Sequence, residues 1–291
     1  MTNNELYVDV AEGVKYYVVE RYDGTAESKK AVLLLHGATS GYVIWDVKKD
    51  DYSLMDRLAR EGFVVYAVDM RGFGKSSRTS GVDVRAETCA EDVKGVVNFI
   101  KGRLGLTKIC LCGGSWGAVV AVTYAGKYQV DLEKLALVSP PYKDVSRFSK
   151  PFLKPVVNLA KKGVGYYRNV VDTRMLAMRL HSKDREVLNY YAEQCMSHCP
   201  ENPSGAMLDS VQGKDGKLVS DRYVPLITIP TLVIAGAKDE LCPAKNARLL
   251  YEALGTQDKR IVVIPNAHHH VFLEREGHVR CAEALCEWLN D

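Results

Sequence analysis

Apolar residues follow two rhythms along this chain. Near the start, Leu6–Val10 and Val14–Glu20 flank the turn Ala11-Glu12-Gly13 and predict a β-hairpin. Short continuous apolar runs come next, at Ala31–Leu35, Val64–Val68, Ile109–Leu111, Leu135–Val138, Thr231–Ala235 and Ile261–Ile264. Runs of Val, Ile and Leu this short suit strands covered on both faces, and the segments between them supply the crossover helices that parallel strands require. The pattern predicts an α/β class with a mostly parallel central sheet flanked by helices.

Between Val138 and Thr231 the alternation stops. Residues 142–222 read as helices and loops without a buried strand, a helical lid inserted after the sixth strand into a core formed by residues 1–141 and 223–291. Phe152, Leu153, Val156, Val157 and Ala160 follow helical spacing, with Lys154, Lys161 and Lys162 at other positions. They predict either a lid helix closing over a pocket, where it could touch lipid, or a helix packed on the domain with solvated lysines. Pro155 inside the run argues against a continuous helix.

Composition narrows the class of function. A chain of 291 residues with 47% hydrophobic and 26% charged residues can bury a full core, which excludes collagen-like and disordered readings. The net charge is only +3 and no long basic run occurs, so nucleic acid is not expected as a partner. The insertion carries 14 basic and 9 acidic residues, a net of +5 that leaves the rest of the chain at −2. The most apolar stretch, Ile109 to Ala125, is interrupted by Gly113, Gly114, Ser115 and Gly117, so no transmembrane segment is expected. Met1-Thr2-Asn3-Asn4-Glu5 lacks the cationic start of a signal peptide, and eight cysteines are too dilute for a disulfide scaffold, so a cytoplasmic protein with reduced thiols is expected.

Three patterns invite a metal or nucleotide. Cys195-x-x-His198-Cys199 could share one helix face, but no fourth ligand lies at a recognised spacing. The adjacent His268, His269 and His270 cannot easily converge on one ion, and Gly74-Lys75-Ser76 has Asp69 where a phosphate-binding loop needs glycine. No metal and no cofactor is inferred.

The strongest chemical signal is Gly113-Gly114-Ser115-Trp116-Gly117, a G-x-S-x-G between the strand at Ile109 and the following helical segment. A nucleophile on so sharp a turn needs small residues at the flanking positions, here Gly113 and Gly117, and the turn presents Ser115 Oγ at a helix N-terminus, where the dipole favours developing negative charge.

In this context the chain resembles the α/β-hydrolase superfamily over nearly its whole length apart from the insertion. Leu35-His36-Gly37-Ala38 is similar to the family's turn after the third strand, Trp45 sits where many members carry tryptophan, and Asp69-Met70-Arg71-Gly72-Phe73-Gly74-Lys75-Ser76 resembles its D-x-R-G-x-G-x-S loop. Ala235 to Pro243 and Ile264 to His269 resemble the acid-bearing and histidine-bearing turns. The resemblance implies a Ser115, Asp239, His269 triad, in the order expected for this fold, with His268 as the alternative base and Asp144 as the alternative acid. Backbone N–H groups of Ala38 and Trp116 would form the oxyanion hole, and the Trp116 indole would pack as core. Asp69 and Arg71 are expected to brace their own loop. The elbow is similar to that of proline iminopeptidases, whereas the His-Gly-Ala turn looks like that of monoacylglycerol-lipase-type hydrolases. The leading expectation is a serine hydrolase acting on a small or acyl-chain ester or thioester through an acyl-enzyme. The alternatives are an aminopeptidase, with Glu186, Glu193 or Glu201 facing the substrate amine, and a catalytically weak small-molecule-binding protein on the same fold.

Overall fold

The computed structural model describes residues 1–24, 30–143, 150–169, 185–210 and 218–291. Strands β1 (Thr2–Ala11) and β2 (Val14–Tyr22) form the hairpin. They are followed by β3 (Ala31–Leu35), β4 (Val64–Asp69), β5 (Ile109–Gly114) and β6 (Leu132–Val138). Two three-residue strands, β7 (Tyr166–Arg168) and β8 (Glu201–Pro203), precede β9 (Thr231–Gly236) and β10 (Lys259–Ile264). The main sheet has eight strands in the order β1-β2-β4-β3-β5-β6-β9-β10, antiparallel among β1, β2 and β4 and parallel from β4 onward.

Because strand side chains alternate between faces, each apolar run feeds two cores at once. Leu33, Leu35, Tyr66 and Val68 join one cluster with α2 (Ala86–Leu104) and α3 (Trp116–Tyr128). Val32, Leu34, Val65 and Ala67 join the other with α1 (Leu54–Arg60) and the C-terminal helix Gly277–Asn290. All of these strand side chains are fully buried.

Between β6 and β9 the chain passes through α4 (Lys150–Lys161), α5 (Arg185–His198) and α6 (Gly205–Ser210). The segment also holds a feature that periodicity missed: β7 and β8 pair as an antiparallel ribbon, each too short to display a repeat. Pro155 lies inside α4 and costs it one backbone donor without ending it. The apolar face of α4 turns inward: Val157 and Ala160 are buried and Leu153 and Val156 pack against the core, while Lys154, Lys161 and Lys162 are exposed. No described helix is long and apolar enough to cross a membrane.

Candidate active site

Ser115 alone separates β5 from α3, and it adopts φ 52° and ψ −120°, a strained conformation for a residue with a side chain. Its N–H donates to the Val138 carbonyl at 2.9 Å, which ties the turn to β6. Close packing explains the glycines around it. A Cβ at Gly113 would lie 2.3 Å from the Gly117 carbonyl oxygen, and one at Gly117 would lie 2.3 Å from that of Leu35. At Gly114 it would press on the Trp45 ring at 2.9 Å.

Two loops from the far half of the sheet converge on this serine. His269 Nε2 lies 2.9 Å from Ser115 Oγ, and His269 Nδ1 lies 2.9 Å from Asp239 Oδ2. The Asp239 side chain is fully buried, and its Oδ1 accepts the N–H groups of Leu241 (2.8 Å) and Cys242 (2.7 Å). With Nδ1–H donating to the carboxylate, Nε2 is left to accept the serine proton. Parallel pairing of β9 with β10 sets the two loops side by side, and the Lys238 N–H donates to the Ala267 carbonyl at 2.8 Å.

The other two histidines face elsewhere. The His268 N–H donates to Glu274 Oε1 at 2.6 Å, and its ring lies 3.5 Å from Oε2 of the same carboxyl. His270 stands edge-on to His269 at 5.0 Å and tilted against Tyr191 of α5; burial and the neighbouring His269 push its pKa down to about 3. The competing acid Asp144 lies outside the described residues.

The turn after β3 abuts Ser115. A Cβ on Gly37 would sit 3.4 Å from Ser115 Cβ and 3.8 Å from its Oγ. The buried His36 is lowered to about 4 by burial, so its ring is neutral near pH 7. Its Nε2 accepts the Met70 N–H at 3.0 Å, and Nδ1–H therefore donates to the Gly37 carbonyl at 2.6 Å. Ala38 follows Gly37 on this braced turn, and Trp116 begins α3 beside Ser115. The Trp116 ring is fully buried and tilted against Phe73.

Asp69 and Arg71 do brace their loop. Asp69 accepts the N–H groups of Tyr42 (2.8 Å) and Lys75 (2.9 Å), and Arg71 forks onto Asp92. Burial disfavours the charged Asp69 carboxylate, but His198 and the surrounding donors outweigh it and hold the carboxyl below its ordinary 3.8.

The other metal-like patterns resolve into hydrogen bonds. Asp239, Cys242 and His269 bring donor atoms within 4.8 Å of one another. Both Asp239 oxygens are already engaged, and burial with the adjacent carboxylate pushes the Cys242 thiol well above its ordinary 9.0, so this donor set suits a hydrogen-bonded relay better than an ion. In the Cys195–Cys199 motif, Cys195 Sγ donates to the Thr39 carbonyl and His198 meets Asp69, so the three side chains do not converge. Glu186 and Glu201 are exposed and paired with Lys49 and Arg78, and Glu193 is exposed.

Sequence reasoning missed Ser139. At the end of β6 it adopts φ 48°, and its Oγ donates to the His269 carbonyl at 2.8 Å. A lone serine carries no pattern that could have marked it.

Known proteins that resemble the chain give its family and fold. A family model described as serine aminopeptidase, S33, matches residues 26–276. The monoacylglycerol lipase of Mycolicibacterium smegmatis is 26% identical over 226 residues, 77% of this chain and 78% of that protein. A proline iminopeptidase of Pestalotiopsis fici is 25% identical over 262 residues, 86% and 88% of the two chains. Among solved structures, an esterase from Thermogutta terrifontis superposes with a TM-score of 0.73 at 24% identity, covering 100% of this chain and 98% of that one, a likeness that speaks to fold.

Proposed function

Because the chain belongs to the serine aminopeptidase S33 family of α/β-fold hydrolases, we propose that it is a serine hydrolase cleaving a carboxylic ester or thioester through an acyl-enzyme. The observation that carries this reading is the continuous hydrogen-bonded path from Ser115 through His269 to Asp239. In the proposed cycle His269 Nε2 takes the Ser115 proton as Oγ attacks the carbonyl carbon, and Asp239 stabilises the imidazolium through Nδ1–H. The N–H groups of Ala38 and Trp116 receive the developing oxyanion. Collapse of the tetrahedral intermediate expels the alcohol or thiol with the proton from His269. Water, activated by the same base, then releases the acid and regenerates Ser115.

An aminopeptidase is the second reading, favoured by the iminopeptidase relative and by the Gly-Gly-Ser-Trp-Gly elbow. It requires an anion against the substrate amine, and the surface positions of Glu186, Glu193 and Glu201 weigh toward the ester. Residues 142–222 act in this reading as a cap on a core of 1–141 and 223–291. All eight cysteines are free and buried, which suits the reducing cytoplasm proposed as its location.

The test is intact-mass detection of fluorophosphonate labelling, with short and long acyl esters and aminoacyl amides assayed in parallel. One adduct on the parent, none on Ser115→Ala, and ester turnover lost with the adduct are expected. Turnover of amides alone would replace the ester reading with the peptidase one. Saturable ligand binding by folded protein without labelling or turnover would replace both with a binding protein.

A further inference from the structure

The cap segment holds the turn that carries Ala38. Asn169, immediately after β7, donates from Nδ2 to the Thr39 carbonyl at 3.0 Å and to the Cys199 carbonyl at 2.7 Å. Cys195 Sγ, on α5, donates to the same Thr39 carbonyl at 3.1 Å. At the end of α5, His198 Nε2 lies 2.7 Å from Asp69 Oδ2, and the other oxygen of that carboxylate accepts the Tyr42 N–H. Gly41, between these anchors, has φ +62°, and a Cβ there would lie 2.7 Å from Asp69 Oδ1 and 2.8 Å from Cys199 Sγ. Asn169, Cys195 and Cys199 are all buried.

The consequence is local and geometric. One peptide plane contains the Gly37 carbonyl and the Ala38 N–H, and His36 fixes it from the core side. The plane that starts at the Thr39 carbonyl is fixed from the cap side by Asn169 and Cys195. Ala38 and Thr39 thus span the gap between two anchored planes, and a donor to an oxyanion is effective only where it is already aimed.

We infer that Asn169, Cys195 and His198 form a positioning clasp through which the cap sets the oxyanion turn. The inference rests on the reading of Ala38 as an oxyanion donor. A group whose benefit is felt only in the transition state lowers kcat and leaves KM in place when it is lost. Removing one such buried hydrogen bond should cost about 5- to 10-fold in kcat.

The experiment compares Asn169→Ala, Cys195→Ala and Cys195→Ser by ester kinetics, by affinity for a trifluoromethyl ketone that forms an oxyanion on Ser115, and by amide hydrogen exchange over residues 36–43. The two alanine variants should lose kcat and ketone affinity together, keep KM within about twofold, and exchange faster in that segment alone. Cys195→Ser keeps a donor and should recover most of the loss. If Asn169→Ala does not fold, the Cys195 pair carries the same comparison. Parental kcat with parental exchange in folded alanine variants overturns the clasp, and a rise in KM alone replaces it with a substrate-binding role. If the parent shows no serine chemistry, the proposed function fails separately, and unchanged exchange over 36–43 still overturns the clasp.

Discussion

Replacing Glu274 by Gln tests how the histidine loop is held. The Glu274 side chain is 11% exposed, and its carboxyl accepts the His268 N–H at 2.6 Å and feels the charge of Asp239. Burial, aided by Asp239, lifts its pKa from the ordinary 4.5 to about 7 against the opposing pull of the His268 N–H and Lys238. Between those two values the folded protein retains a proton that the unfolded chain has released. Stability therefore falls as pH rises through this window and levels off above the folded value. At 1.36 kcal/mol per pH unit the full displacement corresponds to about 3.4 kcal/mol. The carboxyl keeps part of its hydration, so about 1–2 kcal/mol is expected. Glutamine retains an acceptor for the His268 N–H and carries no charge to desolvate. Glu274→Gln should therefore exceed the parent at pH 8 by that amount, or about 2–6 °C in Tm for a chain of this size, and by only about a quarter of it at pH 5. Urea unfolding of both proteins at the two pH values measures the difference directly, since groups shared by both cancel. A parent-to-variant difference that is equal at pH 5 and pH 8 would refute the reasoning.

Further expectations follow from the turns. Ser139→Ala removes the hydrogen bond that holds the His269 carbonyl and should lower kcat about 5-fold with KM nearly unchanged, read by steady-state ester kinetics. Gly113→Ala brings a methyl to 2.3 Å from a backbone oxygen and should destabilise by about 1–3 kcal/mol or more, whereas Gly102→Ala, in α2 with nothing within 4 Å, should gain about 0.5–1 kcal/mol. Thermal melts of the pair should therefore shift in opposite directions, and equal shifts would discredit the packing argument.

Backbone demands were written locally and could be read locally. The apolar runs marked the strands because most must cover two faces, and Ala31–Leu35 coincides with the fully buried β3, whereas Ile261–Ile264 lies in β10 at the sheet edge, where all but Ile264 is only half-buried. The elbow was legible because Gly113 and Gly117 answer to carbonyls 2.3 Å from an added methyl, a steric requirement that leaves its trace in the residues themselves. Edges faded where elements were too short for a repeat, as in the ribbon of β7 and β8.

Partners, by contrast, were chosen by the tertiary structure. Three consecutive histidines offer the same chemistry. Only the β9 and β10 register, with Ser139 holding one carbonyl and Glu274 one amide, brings His269 to Ser115 and turns its neighbours away. Cys195-x-x-His198-Cys199 has the look of a ligand set along the chain, yet in space its members meet Thr39, Asp69 and Gly41, residues more than a hundred positions away. A sequence records what a residue can bond and how its own backbone must bend. Which of its possible partners stands within 3 Å depends on how distant strands and helices pack, and no local pattern contains that distance.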